Sequence, residues 1–190
     1  DTYRYYEGND KLRSWIGIPL TMGIYDRAEG TVKAMFSPQL WTENGMLSVS
    51  GDKIFWDRTT LYGLRGTLAA GYPDLGLEFL QRFSAKRLLG EHVPYMVEAW
   101  PEGGQRHLST ENALYCRIFT EGLLGFRATG FRSFNLTPQM PKAWSHYSFS
   151  NIHACTSLPM DIEVSRLSAN KLQVKVSRAG KLLRKMTVKA

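Results

Sequence analysis

The apolar positions change period along the chain. Between residues 59 and 124 they recur at intervals of three and four, the spacing of a helix face, whereas beyond residue 131 they alternate. Leu75, Phe79, Leu80 and Phe83 fall on one face of a helix expected over 73–89, with Pro73 in its first turn and Gly90 beyond its end. Thr59 to Ala70 has the same period. Its Gly63, Gly66, Ala69 and Ala70 offer a small-residue surface on which a neighbouring helix can lie close. With Gly71-Tyr72-Pro73-Asp74 as the turn, the two helices form a hairpin. A further helix is expected from a Ser109 or Thr110 cap to about Leu124, burying Leu114, Ile118 and Phe119.

Upstream, Asp26-Arg27-Ala28-Glu29 has the form of a capping box opening a helix that runs to Phe36 and stops at Ser37-Pro38. Ile16 to Leu20 is apolar, but Pro19 argues against a helix through it. Residues 40–55 read as a long connection with turn signals at Asn44-Gly45 and Ser50-Gly51-Asp52, and long connections tend to carry function. After Phe131–Leu136, prolines 138 and 141 interrupt the chain. Short strands then follow over 147–149, 152–155, 162–165, 172–176 and 182–188, with turns at Asn170-Lys171 and Ala179-Gly180. Helices first and antiparallel strands last define an α+β chain, divided into 1–130 and 131–190.

At 190 residues and 43% hydrophobic content there is ample material for a core. No apolar run is long enough to span a bilayer, so no membrane partner is expected. The chain begins at Asp1 rather than methionine, which suggests an excised or mature piece. The net charge of +7 raises the question of nucleic acid. Much of it sits on Lys171, Lys175, Arg178, Lys181, Arg184, Lys185 and Lys189, with no acid after Glu163. These cations alternate with Leu172, Val174, Val176, Leu182 and Val188, the pattern of a solvated sheet face, so no nucleic-acid partner is expected. Cys116 and Cys155 lack metal-ligand spacing, and Cys116 reads as a small core residue. His92, His107, His146 and His153 show no metal spacing either, so neither a metal nor a cofactor is expected.

The chemistry is densest in Val97-Glu98-Ala99-Trp100-Pro101-Glu102-Gly103-Gly104-Gln105-Arg106-His107. Two carboxylates, an indole, a guanidinium and an imidazole share one turn-forming stretch. A second cluster, Trp56-Asp57-Arg58, stands at the start of a helix. There Asp57 can cap the helix and pair with Arg58, or both can bind hydroxyls. Glu111, in a first helical turn, is favoured there by the helix dipole.

These stretches, with Leu40-Trp41-Thr42-Glu43-Asn44-Gly45-Met46-Leu47 and the hairpin over 59–88, resemble the last hairpins of the six-hairpin (α/α)6-toroid glycosidases. That superfamily includes trehalases, processing α-glucosidases and α-L-rhamnosidases. The segment from Gly130-Phe131-Arg132 through Pro141 and Trp144 resembles the entry to the β-sandwich that often follows the toroid. The resemblance implies terminal toroid hairpins followed by a small antiparallel β-sandwich, and the C-terminal portion of an inverting glycoside hydrolase. It makes Glu98 the general base. The general acid would come from an earlier hairpin with no counterpart here, since twelve helices make a toroid and about four are expected in this chain. The implied partners are an oligo- or polysaccharide substrate and the N-terminal part of the same enzyme.

Trp41, Trp56 and Trp100 suit stacking against the C–H face of a pyranose. Asp57, Arg58, Glu102, Arg106 and His107 suit its hydroxyls or an acidic group. Glu102 and Glu111 are weaker candidates for the base than Glu98. Two other readings use the same residues. One is a polysaccharide lyase, which abstracts a proton beside a uronate and would lean on Tyr95, Arg106 and His107. The other is a carbohydrate-binding module without chemistry.

Overall fold

The computed structural model describes residues 1–89, 96–100, 109–153 and 158–190, with Trp100 and Ser109 described by their backbone alone. The chain divides into two compact units, Asp1–Gly122 and Leu123–Ala190. It is an α+β protein with antiparallel sheets.

In the first unit, a 3-10 turn over Ser14–Gly17 leads into the short helix α1 (Ile18–Thr21), then α2 (Ala28–Met35), α3 (Asp57–Ala69), α4 (Pro73–Arg87) and α5 (Ser109–Arg117). A π turn, Ile118–Leu123, continues α5. Two pairings of two-residue strands complete the picture. β1 (Trp41–Thr42) pairs with β2 (Gly45–Met46) across the Asn44-Gly45 turn, and β3 (Phe55–Trp56) pairs with β4 (Ala99–Trp100). Gly45 has φ +105, a conformation that a side chain resists.

Helix α3 is the axis of this unit. Ten of its thirteen residues are buried, among them Leu61, Leu64 and Leu68. The small-residue face predicted for it is used by the 14–21 segment. A Cβ added to Gly66 would stand 2.7 Å from Leu20 Cβ and 3.2 Å from the Gly17 carbonyl oxygen. The other side receives α4, where Leu68 fills the space that a side chain at Gly76 would need. Thr60 and Thr67 stay inside a helix by returning their hydroxyls to the carbonyls of Trp56 (2.9 Å) and Gly63 (2.7 Å). A second cluster, Ile16, Leu20, Val32, Met35, Leu40, Met46 and Leu47, closes the core behind them.

Several local expectations are corrected. Pro19 lies in the first turn of α1, where its missing N–H removes no helical bond, so it starts a helix rather than excluding one. The capping box does not form: Arg27 is the N-cap of α2, with no side-chain cap. Residues 40–55 are less loop-like than expected, because their short strands pair with each other and with β4. Cys116 is exposed, not a core residue. Cys155 lies outside the described residues.

The second unit holds the hairpin β5 (Phe126–Gly130) and β6 (Ser133–Leu136), then four antiparallel strands: β7 (His146–Ile152), β8 (Met160–Ser168), β9 (Lys171–Arg178) and β10 (Lys181–Lys189). The hairpin packs on the core of the four-stranded sheet, and the two compact units part at Gly122/Leu123. Met160, Ile162 and Val164 of β8 and Leu172, Val174 and Val176 of β9 point to one side, and Phe126, Phe134 and Leu136 of the hairpin pack against them. Tyr147 joins this core, its hydroxyl donating to the Leu123 carbonyl (3.1 Å) and pushed up in pKa by burial. The alternation of cations and aliphatics holds through β9 and fails at one point in β10. A register shift between Leu182 and Arg184 turns Leu182 to the outer side, where it is 52% exposed.

Crowding at the α1–α3 contact makes a direct test. Gly66→Ala is expected to lower unfolding stability by about 1–3 kcal/mol, because backbone and a Cβ must yield. Gly63→Ala, which meets the flexible ends of Met46 and Met35, should cost less. Urea denaturation of both variants measures the difference.

Candidate functional site

The pairing of β3 with β4 joins the two motif-bearing stretches. Trp56 stands opposite Ala99 and Phe55 opposite Trp100, and the Asp57 amide donates to the Glu98 carbonyl (3.2 Å). Segments some forty residues apart thereby place Asp57, Arg58 and Glu98 side by side.

Asp57 and Arg58 are consecutive residues in the first turn of α3, and their side chains diverge. Asp57 is fully buried. Its carboxylate accepts from Arg87 Nη1 (2.8 Å) and Nη2 (3.0 Å) and from the Val97 amide (3.1 Å). Arg87, at the end of α4, also donates to the Asn44 carbonyl in the β1–β2 turn (3.1 Å). One buried ion pair thus ties together the start of α3, the end of α4, the β1–β2 turn and the segment leading to Glu98. Asp57 is not the N-cap of its helix and does not pair with Arg58; Trp56 occupies the cap position without a side-chain bond.

Arg58 turns toward solvent and meets two carboxylates. Its Nε donates to Glu111 Oε1 (2.9 Å), and its Nη2 stands 2.8 Å from the same oxygen and 3.4 Å from Glu98 Oε1. Glu111, in the first turn of α5, is fully buried, whereas the side chains of Arg58 and Glu98 are 29% and 33% exposed. Glu111 Oε2 is buried with no hydrogen-bond partner. The Met96 amide donates to Asn112 Oδ1 (3.1 Å), which fastens the segment carrying Glu98 to the same helix. Glu111 is therefore an anchor. It is shut away from solvent and committed to the guanidinium that faces Glu98. Its place in a first helical turn was legible in the sequence; its partner, 53 residues away, was not.

The aromatic candidates separate. Trp56 lies edge-on to Trp15 (centroids 5.3 Å apart) at the β3 position opposite Ala99. Trp41 belongs to a ring cluster with Phe36 (5.2 Å) and Phe79 (4.7 Å). The Trp100 side chain and the whole of Glu102, Arg106 and His107 lie outside the described residues, as does Tyr95. Trp15 was not among the sequence candidates, since nothing in its local context marks it.

Chemically, the cluster presents one solvent-reaching carboxylate, Glu98, whose Oε1 faces a fixed cation. Such a group can accept a proton from water or a hydroxyl and can hold a hydroxyl by hydrogen bonding. Among the described residues, no group of three or more His, Cys, Asp or Glu is placed to hold a metal ion, and no helix is long and apolar enough to cross a membrane. Comparison with protein-family models, curated proteins and solved structures gave no match.

The buried pair makes the sharpest stability prediction. Arg87→Met leaves Asp57 charged and buried without its main partner and is expected to cost about 3–5 kcal/mol. Adding Asp57→Leu should recover part of that loss, since it removes the stranded charge. Denaturant titration of the two variants checks this; a double variant no more stable than Arg87→Met would mean the two groups are not coupled.

Proposed function

We propose that this chain is the C-terminal portion of an inverting glycoside hydrolase of the six-hairpin toroid type, with Glu98 as its general base. The observation that carries the reading is the Glu98–Arg58–Glu111 cluster at the β3–β4 junction: one solvent-reaching carboxylate held by a cation that is itself anchored from behind. Inversion requires a base that activates water on the face of the sugar opposite the leaving group, with the two carboxyl groups about 6.5–9.5 Å apart. Glu98 has the exposure for that task. Glu111 does not, so the acid comes from residues outside this chain. Arg58 orients Glu98, and Trp56 belongs to the sugar-facing wall. The substrate is an oligo- or polysaccharide, and Trp100, Glu102, Arg106 and His107 extend its binding site.

A non-catalytic carbohydrate-binding module is the second reading, favoured by the single solvent-reaching carboxylate in the cluster. One variant separates the two. In the complete enzyme, Glu98→Gln is expected to lower turnover by about 10²–10⁴-fold while leaving sugar binding intact. Proton NMR of the first-formed product should show the anomer opposite to that of the substrate. Undiminished turnover in Glu98→Gln would remove Glu98 as the base.

A further inference from the structure

Trp15, which touches Trp56 edge-on, also forms part of a second wall. Tyr3, Arg4, Tyr5, Arg13, Trp15 and Pro19 border a cavity of about 390 Å³. That volume lies within the about 300–1,000 Å³ of small-molecule pockets. Three aromatic rings, with Ile16, Ile18 and Pro19, suit the apolar face of a ring-shaped ligand.

Its charges are unusual. Neither Arg4 nor Arg13 pairs with a carboxylate among the described residues, although ion pairs are common elsewhere in this unit. Arg13 is held in place nonetheless. Its backbone bridges to Val49, and its guanidinium lies over the Tyr5 ring, 5.3 Å from the centroid. Arg13 Nε and Tyr3 Oη are buried with no hydrogen-bond partner. A carboxylate in the cavity would give the Arg13 guanidinium the anionic partner that it lacks among the described residues. Of the acids bordering the adjoining cavity, Asp1 is already paired with Arg27, and Asp10 pairs with neither arginine.

We propose that this cavity is a subsite for an acidic sugar, a uronate whose pyranose ring lies against Trp15 and Tyr5 and whose carboxylate is taken by Arg13 with Arg4. The Trp15–Trp56 contact places it beside the strand pair that Glu98 adjoins, so the uronate would be one unit of the glycan bound there. The inference rests on the carbohydrate part of the function proposed above and not on Glu98 acting as a base. Arg13 and Arg4 choose the ligand; the aromatic rings make the pocket tolerant of which hydroxyls are axial.

The test is a tryptophan-fluorescence titration of the 190-residue chain with methyl β-glucuronide, methyl β-glucoside and benzoate. The glucuronide is expected to bind about tenfold or more tightly than the glucoside, from the charge-assisted bonds alone. Arg13→Gln should abolish the preference. Arg4→Gln, at an exposed position, should reduce it. Trp15→Ala should weaken both sugars alike. Equal binding of the two sugars, no binding of either, or a preference that survives Arg13→Gln overturns the proposal. Benzoate binding as tightly as the glucuronide would overturn the sugar assignment, leaving only a site for ring-borne carboxylates. Glu98→Gln should leave the preference untouched, so a failed base assignment and a failed subsite give different results.

Discussion

The first unit is organised around the Asp57–Arg87 pair. Taking two charges fully out of water costs several kcal/mol for each ion, and their attraction offsets that only when the geometry is good. Here the fork of Arg87 meets both carboxylate oxygens, the Val97 amide adds a third bond, and Arg87 has a further acceptor in Asn44. The gain in net stability from such a pair is small. Its larger effect is geometric. An alternative packing that separates α3 from α4, or shifts the β1–β2 turn, strands a buried charge, so the pair fixes one arrangement of four segments.

That constraint explains why Glu98 stands where it does. The Val97 amide is bound to Asp57, and the Glu98 carbonyl accepts from the Asp57 amide, so the backbone on the N-terminal side of β4 is held by one residue of α3. Successive residues of a helix point about 100° apart. With Asp57 directed into the core, Arg58 is carried round to the surface, beside the strand that Asp57 has just fixed. The same turn of helix supplies the structural anchor and the cation of the candidate site, and neither could move without the other.

The sequence made the general architecture legible and much of the site illegible. Periods of 3.6 and 2 located α3, α4, β8 and β9 because those elements bury one continuous face, and burial is what produces a period. The two-residue strands carry no period, so residues 40–55 read as a long connection and the stretch around Glu98 as loop or short strand, though the β3–β4 pair is what brings Arg58 to Glu98. Local chemistry misled where a distant partner won. Asp57 has the composition of a helix cap, but a buried arginine thirty residues on is a stronger partner than its own helix N-terminus. Cys116 sits amid an apolar pattern, yet it lies two residues from buried Leu114 and two from buried Ile118, about 200° round the helix, which puts it on the solvent side. Leu182 was assigned inward by alternation, and one register shift reversed it.

The sharing of Arg58 between two carboxylates has a further consequence for the candidate site. Glu111 is buried and gives both of its contacts with Arg58 through one oxygen, so it can hold the guanidinium without itself meeting a ligand. Glu98 takes only the longer contact, 3.4 Å from Nη2, and keeps its Oε2 without a partner among the described residues. A carboxylate held firmly by a bidentate fork would be well placed but poorly free to accept a proton, while an unheld one would sample many rotamers. Glu98 lies between these limits. The strong half of the arginine's bonding is spent on the buried carboxylate, and the weak half aims the solvent-reaching one.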